Sequence, residues 1–331
     1  MREEKGFMAP KTPSPQAYSV ETAAFGGAGW SPRTASLQEE LGTVWASCGQ
    51  AWEWTRLKAV LLHRPSAELE DIDDPDRVQM LDRPDPQRAG AQHDALAQAY
   101  RDAGVAVHYV EPQGKPTPNQ MFVTDLLFMT PSGAIVARPA STVRAGEERQ
   151  VARRLADLGI PILASVHGRG TFEGADALWL DPETVLLGIG LRTNAEGAEQ
   201  VAAVLGRLGV RAITVTLPYG SMHLMGAVRI VDRDLAIVWA GRVPYVAVKA
   251  LAERGYRVVS VPDEEEVRRG LALNFVTLGP REIVMPAGNP VSQRFYEGLG
   301  IVCRTVPMDE IHKAAGGIGC LTGVLAREGA S

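Results

Sequence analysis

The feature that most constrains this fold is a unit recurring about five times along the 331-residue chain. In each copy an amphipathic run, typical of a helix, ends in a glycine that is followed by an apolar strand. A glycine in that place fits the left-handed turn that closes many helices. The junctions follow one another at roughly 45–55 residues, and units of that length bury their apolar faces only against neighbours. The five glycines are Gly104, Gly159, Gly209, Gly255 and Gly300.

Four of these junctions are followed by a predicted hairpin with a polar turn, at residues 131–133, 181–183, 232–234 and 279–281. Each unit therefore reads strand, strand, helix, strand. An apolar strand at 57–62 precedes the first helix, and another segment, 321–325, follows the last complete unit. Pairing these two segments closes a ring and leaves no exposed sheet edge. The sequence thus predicts an α/β fold, a five-bladed pseudo-symmetric α/β propeller of ββαβ units, with an ordinary α/β sheet as the alternative.

The even repeat favours a single α/β-propeller catalytic domain over residues 46–331. Residues 1–45 are rich in proline, glycine, alanine and serine over most of their length and show no period. We interpret them as an extended N-terminal arm, packed either on the domain or on a partner. A homodimer is therefore among the expected states.

Composition excludes several classes of function. A net charge of -5 without a basic cluster argues against nucleic acid as a partner. No apolar run approaches the roughly 20 residues that span a bilayer, and no apolar segment of a secretory signal follows Met1–Lys5. Cys48, Cys303 and Cys320 match neither a disulfide framework nor a zinc spacing, which favours a reducing cytoplasm.

Polar residues collect at one end of the predicted ring. Asp125, Asp176, His223 and Asn274 each precede a hairpin turn by roughly six to ten residues, the same place in successive repeats. The last unit ends in a glycine-rich segment with Cys320, where glycines leave the thiol open on one side. This combination favours a cysteine-based active site, although a core or surface role for His223 stays open. Cys48 and Cys303 are expected to be small buried hydrophobic residues.

Carboxylates in this region predict a cationic ligand. Glu173 and Asp176 flank a small Gly-Ala turn just before an apolar strand, and Asp125 also leads into an apolar strand. A buried carboxylate needs a cation or hydrogen-bond donors, so the ligand is either a metal or an organic cation. Metal is the weaker choice, because only one histidine joins the acids and no ligand pair at i, i+4 is present.

These residues resemble the motifs of the guanidino-group-modifying superfamily, which includes arginine deiminases, amidinotransferases and dimethylarginine dimethylaminohydrolases on a five-bladed α/β propeller. The resemblance covers about residues 55–326. Residues 138–147 and 190–198 look most like the dimethylarginine dimethylaminohydrolase branch. The motifs that carry the resemblance are Asn119-x-x-Phe122-x-x-Asp125, Glu173-Gly-Ala-Asp176, His223, Asn274 and Gly-Gly-x-x-Cys320.

The resemblance implies a role for each of these residues. Cys320 is the nucleophile that forms a covalent thiouronium, Glu173 orients and charges His223, and His223 transfers protons near neutral pH. Asp125 binds the guanidinium nitrogens, and Asp176 shares that task or braces the loop. No external cofactor and no metal are required. The remaining substrate-binding residues are Asn119, Phe122, Asn274, Met225 and the pair Arg144 and Arg192, which in that branch hold an α-carboxylate.

Met225 departs from the pattern of deiminases and amidinotransferases, which usually have an aspartate two residues after the histidine. An apolar side chain there suits a guanidine whose nitrogen carries a methyl group. The predicted function is a cysteine-dependent hydrolase that converts N-methylated arginine to citrulline and an amine. The alternatives are an amidinotransferase, an arginine deiminase and a guanidine-binding protein without activity.

Overall fold

The computed structural model describes residues 31–329. Most of the predicted N-terminal arm therefore lies outside the described residues. Residues 31–45 form turns without a regular helix or strand, and Ala46 N–H then donates to the carbonyl of Gly159. Single-domain organisation and the arm stay predictions.

Five three-stranded sheets make up the domain. In each, the first two strands run antiparallel and the middle strand pairs in parallel with the third. The strands are β1 (Leu57–Leu62), β2 (Ala106–Tyr109), β3 (Leu127–Thr130), β4 (Gly133–Val136), β5 (Ile162–Ser165), β6 (Ala177–Asp181), β7 (Thr184–Ile189), β8 (Arg211–Thr216), β9 (Val228–Asp232), β10 (Leu235–Val238), β11 (Arg257–Ser260), β12 (Val276–Gly279), β13 (Glu282–Pro286), β14 (Val302–Val306) and β15 (Gly323–Arg327).

Strand β15 closes the ring, as the sequence predicts. It pairs antiparallel with β1, and β1 pairs in parallel with β2, so the first sheet contains strands from both ends of the domain. The other four sheets each use three consecutive strands. The five-bladed α/β propeller is thereby confirmed.

A helix connects the middle and third strand of every sheet. These are α1 (Pro86–Asp102), α2 (Glu147–Asp157), α3 (Ala195–Arg207), α4 (Tyr245–Glu253) and, after the short α5 (Glu264–Arg268), α6 (Pro290–Gly298). All five junction glycines have φ between 72° and 80°, which confirms the predicted left-handed ends. Two further short helices, α7 (Asp309–His312) and α8 (Ile318–Leu321), precede β15.

A single turn of helix stands in front of the first strand in four of the sheets. Three are 3-10 turns, at Val123–Leu126, Gly174–Asp176 and Leu224–Gly226, and the fourth is α8. Successive turns lie against one another around the ring. Because each turn follows or contains one of the predicted polar residues, the turns bring those side chains to the same end of the propeller.

The apolar core is divided among the blades, and each blade packs a sheet against its helix. Trp179 is fully buried, stacks on Phe128 of the neighbouring blade at 5.7 Å and donates its indole N–H to Met129. Such contacts fix the angle between blades and hence the spacing of the turns. Among the helices of residues 31–329, none combines the length and hydrophobicity that a bilayer crossing requires.

Candidate active site

One cavity at the end of the ring contains most of the predicted site residues. Its walls include Asn119, Phe122, Asp125, Arg144, Arg192, His223 and Cys320, and also Gln79 and Ala315, which the sequence did not indicate. We call it the Asp125 cavity. A second cavity adjoins it and shares the side chains of His223 and Cys320.

His223 and Glu173 form a buried ion pair beside the cavity. His223 Nε2 lies 2.6 Å from Glu173 Oε2 and 3.8 Å from Asp125 Oδ1. Glu173 is inaccessible to solvent, and its Oε1 accepts from the Ala140 N–H at 3.1 Å. A side chain on Gly174 would strike the carbonyl oxygens of Leu127 and Thr124, so glycine is needed for Glu173 to reach this place.

The pair holds His223 as an imidazolium. Burial disfavours the charge on His223, but Asp125 and Glu173 outweigh it and raise its pKa to about 9. Burial opposes ionisation of Glu173 too, yet the hydrogen bond from His223 lowers its pKa to about 2. The expectation that His223 titrates near neutrality is therefore wrong for the free protein. Its resting form is a proton donor.

Cys320 lies in α8, a short helix, whereas the sequence predicted a glycine-rich turn leading directly into a strand. Asn274 holds it. The Asn274 Nδ2 atom donates to Cys320 Sγ at 3.1 Å, and its Oδ1 accepts from the Gly319 N–H at 2.7 Å. Burial, followed by the negative charge of Asp125, raises the pKa of the Cys320 thiol. Asn274 thus positions the thiol, and because it also lines the second cavity with Cys320, its predicted contact with substrate stays a prediction.

Asp125 has one free oxygen. Its Oδ2 accepts from Arg144 Nη1 at 2.6 Å, while its buried Oδ1 has no hydrogen-bond partner among the described residues. The Nε of Arg144 donates to Glu147 Oε2 at 2.8 Å. Asp125 Oδ1 thus offers an acceptor in the cavity, whereas Arg144 is already held by two carboxylates.

The predicted carboxylate clamp consists of two unlike arginines. Arg144 is buried between Asp125 and Glu147, and its Nη2 donates to the carbonyl of Phe122 at 3.2 Å. Arg192 is more open, with its side chain 11% exposed and Nη1 at 3.5 Å from Glu173 Oε1. Both line the Asp125 cavity. Their role as a clamp stays a prediction, and Arg192 is the freer of the two.

Asp176 braces the site and does not line the Asp125 cavity. Its Oδ2 accepts from Thr193 Oγ1 at 2.6 Å and its Oδ1 from the Leu224 N–H at 2.9 Å. Both oxygens are used and the side chain is fully buried, which favours the bracing role predicted for Asp176, while its role in substrate binding stays a prediction. The carboxylate ties the turn after Glu173 to the backbone that follows His223.

Asn119 and Phe122 shape the mouth of the cavity. The Asn119 Nδ2 atom donates to the carbonyl of Val78 at 2.8 Å and so anchors the segment that contains Gln79. A side chain on Gly316 would strike the Phe122 ring, so the ring lies directly against the backbone segment that leads to Cys320. Of these two predicted substrate contacts, Phe122 offers its ring, while the Asn119 amide nitrogen is already occupied.

Met225 lies in the adjoining cavity, which we call the Met225 cavity. Its walls include Met225, Trp239, Leu271 and Leu273 together with the shared His223 and Cys320. Met225 is buried and does not line the Asp125 cavity. The apolar surface predicted beside the histidine is therefore present, on the side of the catalytic candidates away from Asp125.

Donor atoms of Asp125, Glu173 and His223 lie within 4.8 Å of one another, close enough to surround a metal ion. However, His223 is an imidazolium whose Nε2 already donates to Glu173. Arg144 Nη1 also lies 3.8 Å from the same Glu173 oxygen. Positive charge inside the group disfavours a metal, and we assign none.

Two supporting residues were not among those that the sequence analysis assigned to the site. Thr193 Oγ1 accepts from the Glu173 N–H at 3.2 Å and donates to Asp176, so it joins both acids of the motif. Arg229, on β9, extends beneath the segment that contains Cys320. Each is an ordinary residue in a strand or loop, and only the fold brings it to the site.

Comparisons with known proteins find a matching family, similar sequences and a similar fold. The sequence model of the family described as "N,N dimethylarginine dimethylhydrolase, eukaryotic" matches residues 80–323. The N(G),N(G)-dimethylarginine dimethylaminohydrolase of Pseudomonas aeruginosa is 26% identical over 73% of this chain and 90% of its own. That of Streptomyces coelicolor is 29% identical over 70% of this chain and 83% of its own. A crystal structure of a dimethylarginine dimethylaminohydrolase adduct with 4-chloro-2-hydroxymethylpyridine superposes with a TM-score of 0.68, at 24% identity, over 82% of this chain and 99% of that one.

Proposed function

Because the chain belongs to the N,N-dimethylarginine dimethylhydrolase family, we propose that it hydrolyses an N-methylated arginine to citrulline and a methylated amine, with Cys320 as the nucleophile. The observation that carries this is the Asp125 cavity, where a thiol, an imidazolium and a carboxylate oxygen with no hydrogen-bond partner in residues 31–329 meet. A guanidinium is a planar cation with N–H groups to donate, which suits the free oxygen of Asp125.

Substrate binding activates the thiol. In the free protein, burial and Asp125 keep the Cys320 pKa high, so the thiol is protonated. A guanidinium on Asp125 neutralises that carboxylate and places a positive charge beside the sulfur, which lowers the thiol pKa. The thiol proton passes to water, because His223 is already protonated, and the thiolate forms only when there is a carbon to attack.

The first half of the reaction breaks the bond to the methylated nitrogen. The thiolate of Cys320 bonds to the guanidinium carbon, and the departing nitrogen takes the proton of the His223 imidazolium. The apolar wall of the Met225 cavity adjoins both His223 and Cys320 and accommodates the methyl groups of the leaving amine. The chain then holds an amidino group on sulfur as a thiouronium.

The second half uses the same histidine as a base. His223, now neutral, takes a proton from water as the water oxygen bonds to the thiouronium carbon. The carbon–sulfur bond breaks, the hydroxyl proton of the intermediate passes to the sulfur, and the ureido group of citrulline is released while His223 remains an imidazolium, as in the free protein. Glu173 keeps the ring oriented through both steps, since its hydrogen bond to Nε2 is fully buried. Arg192 binds the α-carboxylate, with Arg144 joining it only after exchanging carboxylate partners.

The competing functions differ in their products. A deiminase releases ammonia from arginine, an amidinotransferase needs an amine acceptor, and a binding protein releases nothing. All three cysteines are free thiols, which agrees with action in the reducing cytoplasm, and a homodimer stays a prediction.

The test is to incubate the protein with dimethylarginine, monomethylarginine or arginine and to measure citrulline, ammonia and methylamines. Release of citrulline and dimethylamine is expected to be fastest, and Cys320→Ser is expected to abolish it, with Cys303→Ser as the matched control. Mass spectrometry of quenched reactions should show an adduct on the peptide containing Cys320. Turnover that survives Cys320→Ser, or arginine as the preferred substrate, would contradict the proposal.

A further inference from the structure

Beneath the active site, the centre of the ring contains a cavity with two arginines and a glutamate. Its walls include Glu53, Arg229 and Arg327, with Gly319 above them on the side of the nucleophile. Burial lowers the pKa of Arg229 to about 10, so it remains a cation at neutral pH. A buried cation is costly unless it interacts with opposite charge or acceptors.

Arg229 has incomplete hydrogen bonding within residues 31–329 and lies against the backbone segment that contains Cys320. Its Nε donates to the carbonyl of Leu273 at 3.2 Å, and its guanidinium stands 5.8 Å from the Phe275 ring. Its Nη2 is buried and has no hydrogen-bond partner among residues 31–329. A side chain on Gly319 would strike that same Nη2 atom, so the guanidinium occupies the space directly under the residue before Cys320.

The two neighbours that Arg229 touches also bracket Asn274. Leu273 precedes Asn274, Phe275 follows it, and Asn274 in turn binds the Gly319 N–H and Cys320 Sγ. Arg229 therefore supports the Asn274–Cys320 arrangement from below. It is also a fixed positive charge on the side of the thiol away from the substrate.

We infer that Arg229 is a positioning residue for the reaction, which stabilises the thiolate of Cys320 from inside the ring and fixes Asn274 against it. The inference rests on the proposed function in taking Cys320 as the nucleophile. Opposite charge nearby favours an ionised group, and the effect is large where water is excluded. Arg229 is among the groups that lower the Cys320 pKa, in opposition to burial and to Asp125.

Other charged groups surround the thiol and are unchanged by substitutions at Arg229. Asp125, His223, Arg144 and Arg192 line the cavity in front of it. Glu53 lies in the cavity behind the thiol, where its negative charge raises the pKa of Arg229. Its Oε1 accepts hydrogen bonds from the Gln50 side-chain amide and the Trp179 N–H. Because these groups stay in place, a change in the titration of Cys320 reports on Arg229.

The test is the pH dependence of Cys320 alkylation in the free protein. Iodoacetamide labelling is followed by mass spectrometry of the peptide containing Cys320, with the buried Cys48 and the half-buried Cys303 as internal references. Arg229→Gln removes the charge but retains a donor for Leu273, and Arg229→Lys restores the charge. We expect the Gln variant to titrate about one pH unit higher, with about tenfold less thiolate at neutral pH, and the Lys variant to return towards wild type.

Two controls separate this effect from instability. Arg327→Gln removes an arginine from the same cavity, but Arg327 donates to the Thr55 carbonyl and, unlike Arg229, is not among the main groups that shift the Cys320 pKa, so Cys320 should titrate as in wild type. Arg229→Gln is also made together with Glu53→Gln, so that no carboxylate is left without its cation. A folded Arg229→Gln protein, or double variant, that titrates Cys320 at the wild-type pH overturns the inference. Labelling needs no substrate, so the alkylation result can be interpreted even if the hydrolysis assay fails.

Discussion

Replacing Glu173 with Gln tests the electrostatics of the candidate acid–base pair. The substitution keeps an acceptor for the Ala140 N–H but removes the charge that lies 2.6 Å from His223. The rise in the His223 pKa from 6.5 to about 9 corresponds to roughly 3 kcal/mol in favour of the imidazolium, at about 1.4 kcal/mol per unit. Losing one charge-assisted hydrogen bond, worth about 1.5–3 kcal/mol, should lower that pKa by about 1–2 units. The remaining carboxylate, Asp125, prevents a larger fall.

The measurement is the titration of the His223 ring by NMR in the free protein. Glu147→Gln is the matched control, because it removes another buried carboxylate that contacts Arg144 instead of His223. We expect His223 to titrate at about pH 7–8 in the Glu173 variant and close to the wild-type value in the control. Turnover at pH 8 should fall more than turnover at pH 6, because the proton donor is lost first at the higher pH.

Stability should follow the same titration. The folded-state pKa of His223 is raised, so its contribution is fully present below about pH 6.5 and is lost as the pH rises through about 9. The free energy of unfolding should therefore decline over that window in wild type, and over a narrower window in Glu173→Gln. If His223 still titrates near pH 9 in Glu173→Gln, then Glu173 does not raise the His223 pKa and the reasoning is refuted.

Two further predictions concern residues around the pair. Arg192→Ala should raise KM for dimethylarginine through loss of a contact worth about 1.5–3 kcal/mol, with little change in kcat, and agmatine should be a poor substrate of wild type; equal KM values for the two proteins would contradict the clamp. Thr193→Val removes the donor to Asp176 Oδ2 and should lower the free energy of unfolding by about 1–3 kcal/mol, measured by urea denaturation. Thr193→Ser, which keeps the hydroxyl, should restore most of the loss, and a Val variant as stable as wild type would show that Asp176 is not a brace.

The architecture was predictable because it repeats. Gly159 and Gly209 mark helix ends whose φ values differ by only a few degrees, and such recurrence is visible in sequence alone. The pairing of β1 with β15 was predictable from the absence of any other partner for the two end segments. The placement of His223 and Cys320 at one end of the ring was predictable from the same repeat spacing.

Partner choice within the site was not predictable, because it depends on distances across blades. Spacing placed Asp125 and Asp176 in equivalent positions, yet one lines the cavity and the other binds Thr193 and the Leu224 N–H. Asn274 was expected to meet substrate, and spacing gave no sign that its amide would also bind Cys320 Sγ and the Gly319 N–H. Arg229 gave no signal at all, since an arginine in a strand is usually expected at the surface.

Closure of the ring by β15 links completion of the fold to the presence of Cys320. The last segment contains both Cys320 and β15, which pairs with β1, so the thiol and the closing strand belong to one short stretch of chain. A fragment ending before α8 would retain His223, Glu173 and Asp125 but have neither Cys320 nor a completed first sheet. A separate peptide covering residues 318–329 would supply both at once. Recovery of enzyme activity would therefore report that the two fragments have associated. A ring that lacks residues 318–329 would add no background turnover, because it also lacks Cys320.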